Sequence, residues 1–293
     1  MRLVFWGTRG SIAAPGPDTV VFGGNTTCLE IDTGSGERII LDAGTGIRAL
    51  GLKLAQHMPL RCSIFITHTH WDHIQGLPFF VPLFVPGNSI DIHGPFDPVG
   101  LKDIQDVLSG QMAYPYFPVS SAELKANIAY KTLSEGQSVQ IGEAEVTGLL
   151  MNHPVISLGY KVSCGGKSIF FTGDHEDYGN IYAPGDQFYD EYEEIIAERR
   201  ARQADFLRGV DVLVSDCMYA DDELRLKAGW GHSSPTTCAR LARSAGIPRL
   251  VLTHFDPTRN DEALRLFERA AREAHQGPDL SIELAREGMV IDL

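Results

Sequence analysis

The densest group of reactive side chains in this sequence lies at residues 68–73. These six residues, HTHWDH, contain three histidines and one aspartate, and they follow the apolar stretch IFIT. A strand that ends in a loop lets neighbouring side chains converge on one point, whereas a regular strand alternates them between two faces. Neutral imidazole and carboxylate are ligands of zinc and similar divalent ions. We therefore interpret this segment as a metal site, because a merely solvated loop seldom carries three histidines after an apolar run.

Three more candidate ligands follow apolar runs elsewhere in the chain. His153 comes soon after residues 146–150, Asp174 ends the segment SIFFTGD, and His254 ends the segment LVLTH. A single histidine after a strand is usually a hydrogen-bonded structural residue. The repeated placement is harder to explain by packing, and it predicts that these side chains meet along one edge of a sheet.

Short apolar runs separated by turn residues predict the strands that must position these groups. Predicted strands lie at 3–6, 28–31, 38–41, 63–67, 128–133, 146–150, 158–164, 168–172, 210–215, 250–253, 281–284 and 289–292. Predicted helices lie at 47–57, 189–207, 235–245 and 261–275. No Pro/Gly/Ser-rich linker divides the chain. We therefore expect residues 1–293 to form a single layered α/β domain with a helical insertion at about 178–207.

Composition narrows the class of protein further. The 293 residues carry a formal net charge of −13, which argues against broad binding to nucleic acid but does not exclude a local basic pocket. Five cysteines without a CxxC pair disfavour a disulfide framework or a zinc ribbon. The sequence shows neither a secretory signal nor a membrane-length apolar segment. We expect a cytoplasmic protein that has no membrane partner, with a homodimer as one oligomeric state open to it.

The order of these motifs, HTHWDH … NHP … TGD … THF, resembles the metallo-β-lactamase superfamily. LDAGTG, which contains Asp42, resembles the first motif of that superfamily, and the similarity spans nearly the whole chain. The resemblance implies an α/β fold, the four-layer αββα metallo-β-lactamase sandwich. It also implies metal ions that activate a water molecule as the nucleophile.

The resemblance also implies a role for each candidate ligand. One metal is expected on His68, His70 and His153, and the other on Asp72, His73 and His254, with Asp174 bridging the two ions. Asp72 is further assigned to catalysis, and Asp42 is expected to orient a ligand loop, although it could equally be a turn residue. The di-iron branch usually has glutamate at the position of His70, so this departure favours hydrolysis. Zinc is the first choice for two divalent ions held mainly by imidazoles, and manganese is the alternative.

A further segment, WGHSSPTT, resembles the branch that contains ribonuclease Z and the phosphoribosyl cyclic phosphodiesterases. In that branch a histidine in a GHS-type loop lies near the metals, and here it is His232. An acidic residue after the preceding strand holds it, here Asp216, where ribonuclease Z usually has glutamate. The similarity therefore implies that His232 and Asp216 are catalytic. The alternative is that His232 caps the helix that begins near Pro235 or packs under Trp230.

We therefore expect a phosphodiesterase that acts on a small or cyclic nucleotide-like phosphodiester, with no large nucleic acid as partner. Hydrolysis of a carboxylic ester, lactone or amide is the main alternative, and it would not need a general acid such as His232. The remaining alternatives are a tRNA 3′-processing endonuclease and a non-catalytic binding protein.

The other histidines and one aromatic group have no assigned role. His57, His93 and His275 are interpreted as structural or exposed, whereas His175, next to Asp174, could line the pocket. The aromatic group Tyr114, Tyr116 and Phe117 could wall the substrate pocket, but core packing is the expectation because aromatic side chains are commonly buried for their area.

Overall fold

The strands of this computed structural model, which describes residues 1–34 and 36–293, form two seven-stranded sheets. In chain order the strands are β1 (Arg2–Gly7), β2 (Cys28–Asp32), β3 (Arg38–Leu41), β4 (Arg61–Phe65), β5 (Ser89–Pro95), β6 (Asn127–Leu133), β7 (Ser138–Ile141), β8 (Ala144–Met151), β9 (Ser157–Cys164), β10 (Lys167–Phe171), β11 (Val212–Asp216), β12 (Arg249–Thr253), β13 (Ser281–Leu284) and β14 (Val290–Asp292). The first sheet has the order β14-β1-β2-β3-β4-β5-β6, and the second has the order β13-β12-β11-β10-β9-β8-β7.

The described residues form seven α-helices, four of which cover the outer faces of the two sheets. They are α1 (Gly46–Leu54), α2 (Trp71–Ile74), α3 (Ile104–Gln111), α4 (Tyr189–Leu207), α5 (Asp221–Leu224), α6 (Pro235–Ser244) and α7 (Asp261–His275). Helices α1 and α3 contact the first sheet, whereas α6 and α7 contact the second. No helix in the described part of the chain is both long and apolar enough to cross a membrane.

The layers follow from the distribution of apolar side chains along the strands. One buried cluster, which includes Phe5, Leu29 and Tyr160, lies between the two sheets. A second fills the space between the first sheet and its helices, and a third fills the space between the second sheet and its helices. Strands that are apolar on both faces must be covered on both faces. The αββα sandwich predicted from the sequence is therefore confirmed.

The predicted elements agree with the observed ones within a few residues, and β3, α4, α7 and β13 match at both ends. Two strands and three helices were not predicted, namely β5, β7, α2, α3 and α5. Strand β5 has the sequence SIDIHGP, whose polar residues and terminal proline weaken a strand pattern. It forms because it pairs in parallel with both β4 and β6, a contact that its own sequence does not encode.

Parallel strand direction gathers the candidate ligands at one edge of the sandwich. Strands β3 and β4 are parallel neighbours, and so are β10, β11 and β12. Strand β8 runs in the same direction as β10, because each is antiparallel to β9 between them. The carboxyl ends of all six strands therefore open on the same edge, where α/β proteins commonly place their sites.

Candidate metal centre

The first cluster of candidate ligands lies where β4, β8 and β10 end. His68, His70, His153 and Asp174 each offer one atom, and these atoms all lie within 4.8 Å of one another. His153 Nε2 is 3.2 Å from His70 Nδ1, and His68 Nε2 is 3.5 Å from Asp174 Oδ2. The set of three imidazoles and one carboxylate matches the ligands that zinc accepts.

The second cluster shares Asp174 with the first. Asp72, His73, Asp174 and His254 also offer atoms within 4.8 Å of one another. Asp174 Oδ1 is 3.1 Å from both His73 Nε2 and His254 Nε2, while its Oδ2 faces the first cluster. One carboxylate therefore presents one oxygen to each group, as a bridging ligand would.

Hydrogen bonds on the far side of the imidazoles fix which nitrogen faces the cluster. His73 Nδ1 is 2.7 Å from Asp42 Oδ2, and His153 Nδ1 donates to the carbonyl of Gly231 at 2.9 Å. An imidazole that donates through one nitrogen leaves the lone pair of the other for a metal. His68 Nε2 is buried with no hydrogen-bond partner among the described residues. Buried polar atoms normally have partners, so this unpaired nitrogen fits a site built for cations.

Asp42 connects two parts of the ligand loop. Besides contacting His73, its carboxylate accepts hydrogen bonds from the backbone nitrogen of Thr67 at 2.7 Å and from the Thr67 hydroxyl at 3.0 Å. Asp42 and His254 both have left-handed backbones, with φ of 62° at each. Such conformations are unfavourable for residues other than glycine and are commonly kept at functional sites.

The site is buried on one side and open on the other. His68, His73, Asp174 and His254 are almost fully buried, whereas His70 is exposed. His153 and His232 are half-buried and lie on the same open side, with ring centroids 5.8 Å apart. A substrate therefore has access to the clusters from the side of His70, His153 and His232.

The charges of the site suit a cation. Burial is the largest influence on the pKa values of His68 and His153, and it lowers both, which favours the neutral form that a metal binds. Burial also opposes protonation of His254, but Asp174 and neighbouring carboxylates outweigh it and raise its pKa to about 10. Metal ligands must release their protons, so binding here is expected to become stronger as pH rises.

His232 and Asp216 form a pair beside the shared carboxylate. His232 Nδ1 is 3.0 Å from Asp216 Oδ2 and 3.8 Å from Asp174 Oδ2. Asp216 is fully buried, and its other oxygen lies 3.4 Å from His254 Nδ1. Burial opposes protonation of His232, but Asp216 and then Asp174 outweigh it and raise the pKa of His232. The helix-capping alternative has no support, because the N-cap position of α6 is Ser234, two residues after His232.

The residues without an assigned role lie in different environments. His57 is exposed and His275 half-buried, while His93 is fully buried on β5 with its ring stacked 4.4 Å from Phe65. His175 lies beneath the surface and lines a separate cavity of about 140 Å³.

The expectation that residues 114–117 pack in the core is wrong for both tyrosines. The side chains of Tyr114 and Tyr116 are 70% and 79% exposed. Phe117 packs edge-on against Phe79 with ring centroids 5.4 Å apart. Aromatic type alone does not indicate burial. The hydroxyl of tyrosine is polar, so exposing a tyrosine to water costs little free energy.

Sequence reasoning did not identify two contacts that support the site. The backbone nitrogen of Ser11 donates to Asp72 Oδ2 at 2.6 Å, and Ser11 has a left-handed backbone with φ of 61°. Glu176 accepts hydrogen bonds from the backbone nitrogens of Gly229 and Gly231, which fixes the loop that carries His232. The glycine-rich segment GTRGS was the available signal for the first contact. No sequence signal indicated the contact of Glu176, because the loop that it binds is more than 50 residues away in sequence.

Comparison with known proteins agrees with this geometry. The family model described as the beta-lactamase superfamily domain matches residues 37–255. The chain belongs to this superfamily, the metallo-β-lactamase fold family, and its predicted class, a hydrolase, is confirmed. Its site consists of His/Asp clusters for divalent metal ions.

Relatives that match this chain include proteins named ribonuclease Z. The chain is 24% identical to ribonuclease Z of Haloferax volcanii over 94% of this chain and 91% of that protein. It is also 24% identical to ribonuclease Z of Thermoplasma acidophilum, over 96% and 95% of the two chains.

Solved structures show the same fold. Human tRNase Z, short form, has TM-score 0.61 and 22% identity, over 100% of this chain and 99% of that one. The metallo-β-lactamase fold protein YhfI from Bacillus subtilis has TM-score 0.68 and 19% identity, over 99% of this chain and 98% of that one.

The prediction that no large nucleic acid is a partner is wrong. It is contradicted by ribonuclease Z relatives that match almost the full length of this chain. The net charge of −13 did not exclude RNA because a total charge does not report where the charges lie.

Proposed function

We propose that this chain is a phosphodiesterase that uses two divalent metal ions and cleaves RNA. The observation that carries the proposal is the pair of His232 and Asp216, with Nδ1 and Oδ2 3.0 Å apart, at the open side of the clusters. A general acid at this point serves a reaction whose leaving group is a poorly stabilised alkoxide, as in phosphodiester cleavage. Hydrolysis of an activated ester or lactone has less need of it.

The two clusters would hold one ion each, with Asp174 shared. When bound, the ions would polarise the phosphate and lower the pKa of water. Zinc is the proposed metal because five of the seven ligands are imidazoles, and manganese is the alternative because two are carboxylates. Elemental analysis after loading with either metal should give two equivalents per chain, and a ceiling of one equivalent would contradict the two-ion proposal.

Residues of the chain would accept and donate the protons that the reaction moves. A water oxygen attacks the phosphorus atom and gives up a proton, which Asp72 would accept, while the bond from phosphorus to the leaving oxygen breaks. His232 Nδ1 is engaged by Asp216, so Nε2 is the nitrogen available to give its proton to that leaving oxygen. Asp216 orients the ring and favours its protonated form, which the nearby cations would otherwise oppose.

The choice of RNA over a smaller ester rests on the relatives, whose names describe a ribonuclease and a tRNase. Their similarity covers almost the full length of this chain. RNA that carries extra nucleotides 3′ to a folded tRNA domain is therefore the first substrate to test.

The decisive experiment compares substrates from different reaction classes on the metal-loaded protein. A tRNA with a 3′ extension, a 2′,3′-cyclic nucleotide, an aryl phosphodiester and an aryl ester or lactone would be assayed in parallel. The proposal predicts cleavage of the RNA and of the aryl phosphodiester, and loss of RNA cleavage in His232→Ala. His57→Ala, which alters an exposed histidine, is the matched control. Turnover of the aryl ester or lactone alone would overturn the proposal.

A further inference from the structure

Two cavities lie on either side of the candidate ligand His153. Their volumes are about 560 Å³ and about 430 Å³. Five residues line both of them, namely Asn152, His153, Pro154, Tyr178 and Arg199. The cavities are therefore two halves of one groove, which we call the His153 groove.

The wall of this groove that faces His153 comes from the helical insertion. Tyr178 lies at the start of the insertion and Arg199 lies on α4. Helix α4 is not free in solvent, because its residues Ile196, Gln203 and Leu207 are buried and it contacts α6.

The start of the insertion is tied to the metal centre. Arg200 donates to both oxygens of Asp177, at 3.1 and 2.6 Å, and so joins α4 to the segment after Asp174. Glu176 binds the backbone nitrogen of Gly231, whose carbonyl accepts from His153 Nδ1. The insertion is thus held in a fixed position relative to the ligands.

The charged residues along the His153 groove differ in how they are compensated. Arg202 is paired with Glu135 at 2.9 Å. Glu176 accepts from backbone nitrogens, and Asp177 is paired with Arg200. Each of these groups already has a partner within the protein.

Arg199 is the exception. It has no ion pair with any described residue, and its guanidinium carbon lies 5.6 Å from the centroid of the Tyr178 ring. A guanidinium over an aromatic face is held by cation–π attraction while its N–H donors remain available. Arg199 is therefore an uncompensated cation that is positioned on a groove beside a metal ligand, in a chain of net charge −13.

We propose that Arg199, held over Tyr178, binds a phosphate group that flanks the scissile phosphodiester. This inference rests on the proposed function. A polynucleotide brings a negative phosphate with every residue, and an acidic protein repels these charges unless a local cation receives them. Guanidinium binds phosphate through two parallel hydrogen bonds, which lysine cannot provide. The insertion thereby selects substrates that carry a second phosphate over single phosphodiesters.

The kinetic test uses short substrates that differ only in a flanking phosphate. UpA has the scissile phosphodiester alone, whereas pUpA and UpAp add one phosphate on either side. We expect Arg199→Gln to lower kcat/KM by about tenfold on pUpA or UpAp, mainly through KM, and to leave UpA unchanged. Arg208→Gln makes the same change of charge just after α4, outside both cavities, and should affect none of the substrates.

An equal effect of Arg199→Gln on all three substrates, or no effect on any, would overturn the inference. A second readout does not depend on turnover. Wild-type protein should bind adenosine 3′,5′-bisphosphate more tightly than adenosine 5′-monophosphate in calorimetry, and Arg199→Gln should remove that preference. If the wild type cleaves no phosphodiester but shows this preference, then the proposed function fails and the phosphate subsite stands.

Tyr178 is a positioning residue in this scheme. Tyr178→Phe retains the ring and should keep the preference for the bisphosphate. Tyr178→Leu removes the aromatic face and should weaken the preference. A full preference in Tyr178→Leu would show that Arg199 does not need the ring.

Discussion

Replacement of His232 by alanine tests the proposed chemistry most directly. The side chain is 12% exposed, and its partner Asp216 is fully buried. General acid catalysis contributes about 100- to 10,000-fold, or about 3 to 5 kcal/mol of activation free energy. Because the pair is shielded from water, we expect a loss near the middle of that range, about 1,000-fold, on an RNA phosphodiester.

The leaving group is the variable that separates proton donation from binding. A nitrophenolate departs without protonation, so His232→Ala should lose less than about tenfold on a nitrophenyl phosphodiester. Rates for both substrates would be measured at saturating metal, and metal content would be determined for each preparation. His232 is not among the seven candidate ligands of the two ions, so both ions should remain bound. Loss of an ion would instead indicate that His232 is a ligand, because it also lies in a third group with Asp174, Asp216 and His254.

Asp216→Asn supplies a contrasting variant. The Asp216 carboxylate also lies 3.4 Å from Nδ1 of the candidate ligand His254, so this change should weaken metal binding as well as remove the charge that favours protonated His232. Equal losses on good and poor leaving groups in His232→Ala would indicate substrate positioning instead. Unchanged rates on both would exclude His232 from the reaction and favour ester or lactone hydrolysis.

Three further predictions concern the support of the site and the fold. Asp42→Asn should weaken metal affinity by about 10- to 100-fold in a chelator competition, and full affinity would exclude a supporting role. Gly10→Ala should reduce metal content, because the added Cβ would lie 2.4 Å from the His254 ring, while Gly16→Ala, with nothing within 4 Å, should not. Burial lowers the pKa of His93 to about 4. Since the unfolded value is about 6.5, native stability should fall as pH decreases through this window, by about 2 kcal/mol at pH 5 relative to pH 7.5. Between pH 7.5 and pH 5, His93→Phe should lose less of its free energy of unfolding than the wild type, as measured by urea unfolding. Equal losses in the two proteins would refute the assignment of this pH dependence to His93.

The sequence by itself determined the parts of this protein that are local along the chain. The cluster at residues 68–73 lies within one loop and short helix, so its spacing could be read directly. Apolar runs located most strands, and the charge-rich run of α4 and the sequence pattern of α7 located those helices at both ends, because such patterns are local signals. The order of the motifs was enough to predict the superfamily.

The tertiary structure decided what depends on contacts between distant segments. Strand β5 forms because β4 and β6 pair with it, and Asp174 can face both clusters because strands of both sheets end beside it. The sequence predicted α4 as a helix, but only its docking places Arg199 on the His153 groove. Net charge and periodicity average over a segment, whereas a binding site depends on where a few side chains point. That direction is fixed only when the layers pack against each other.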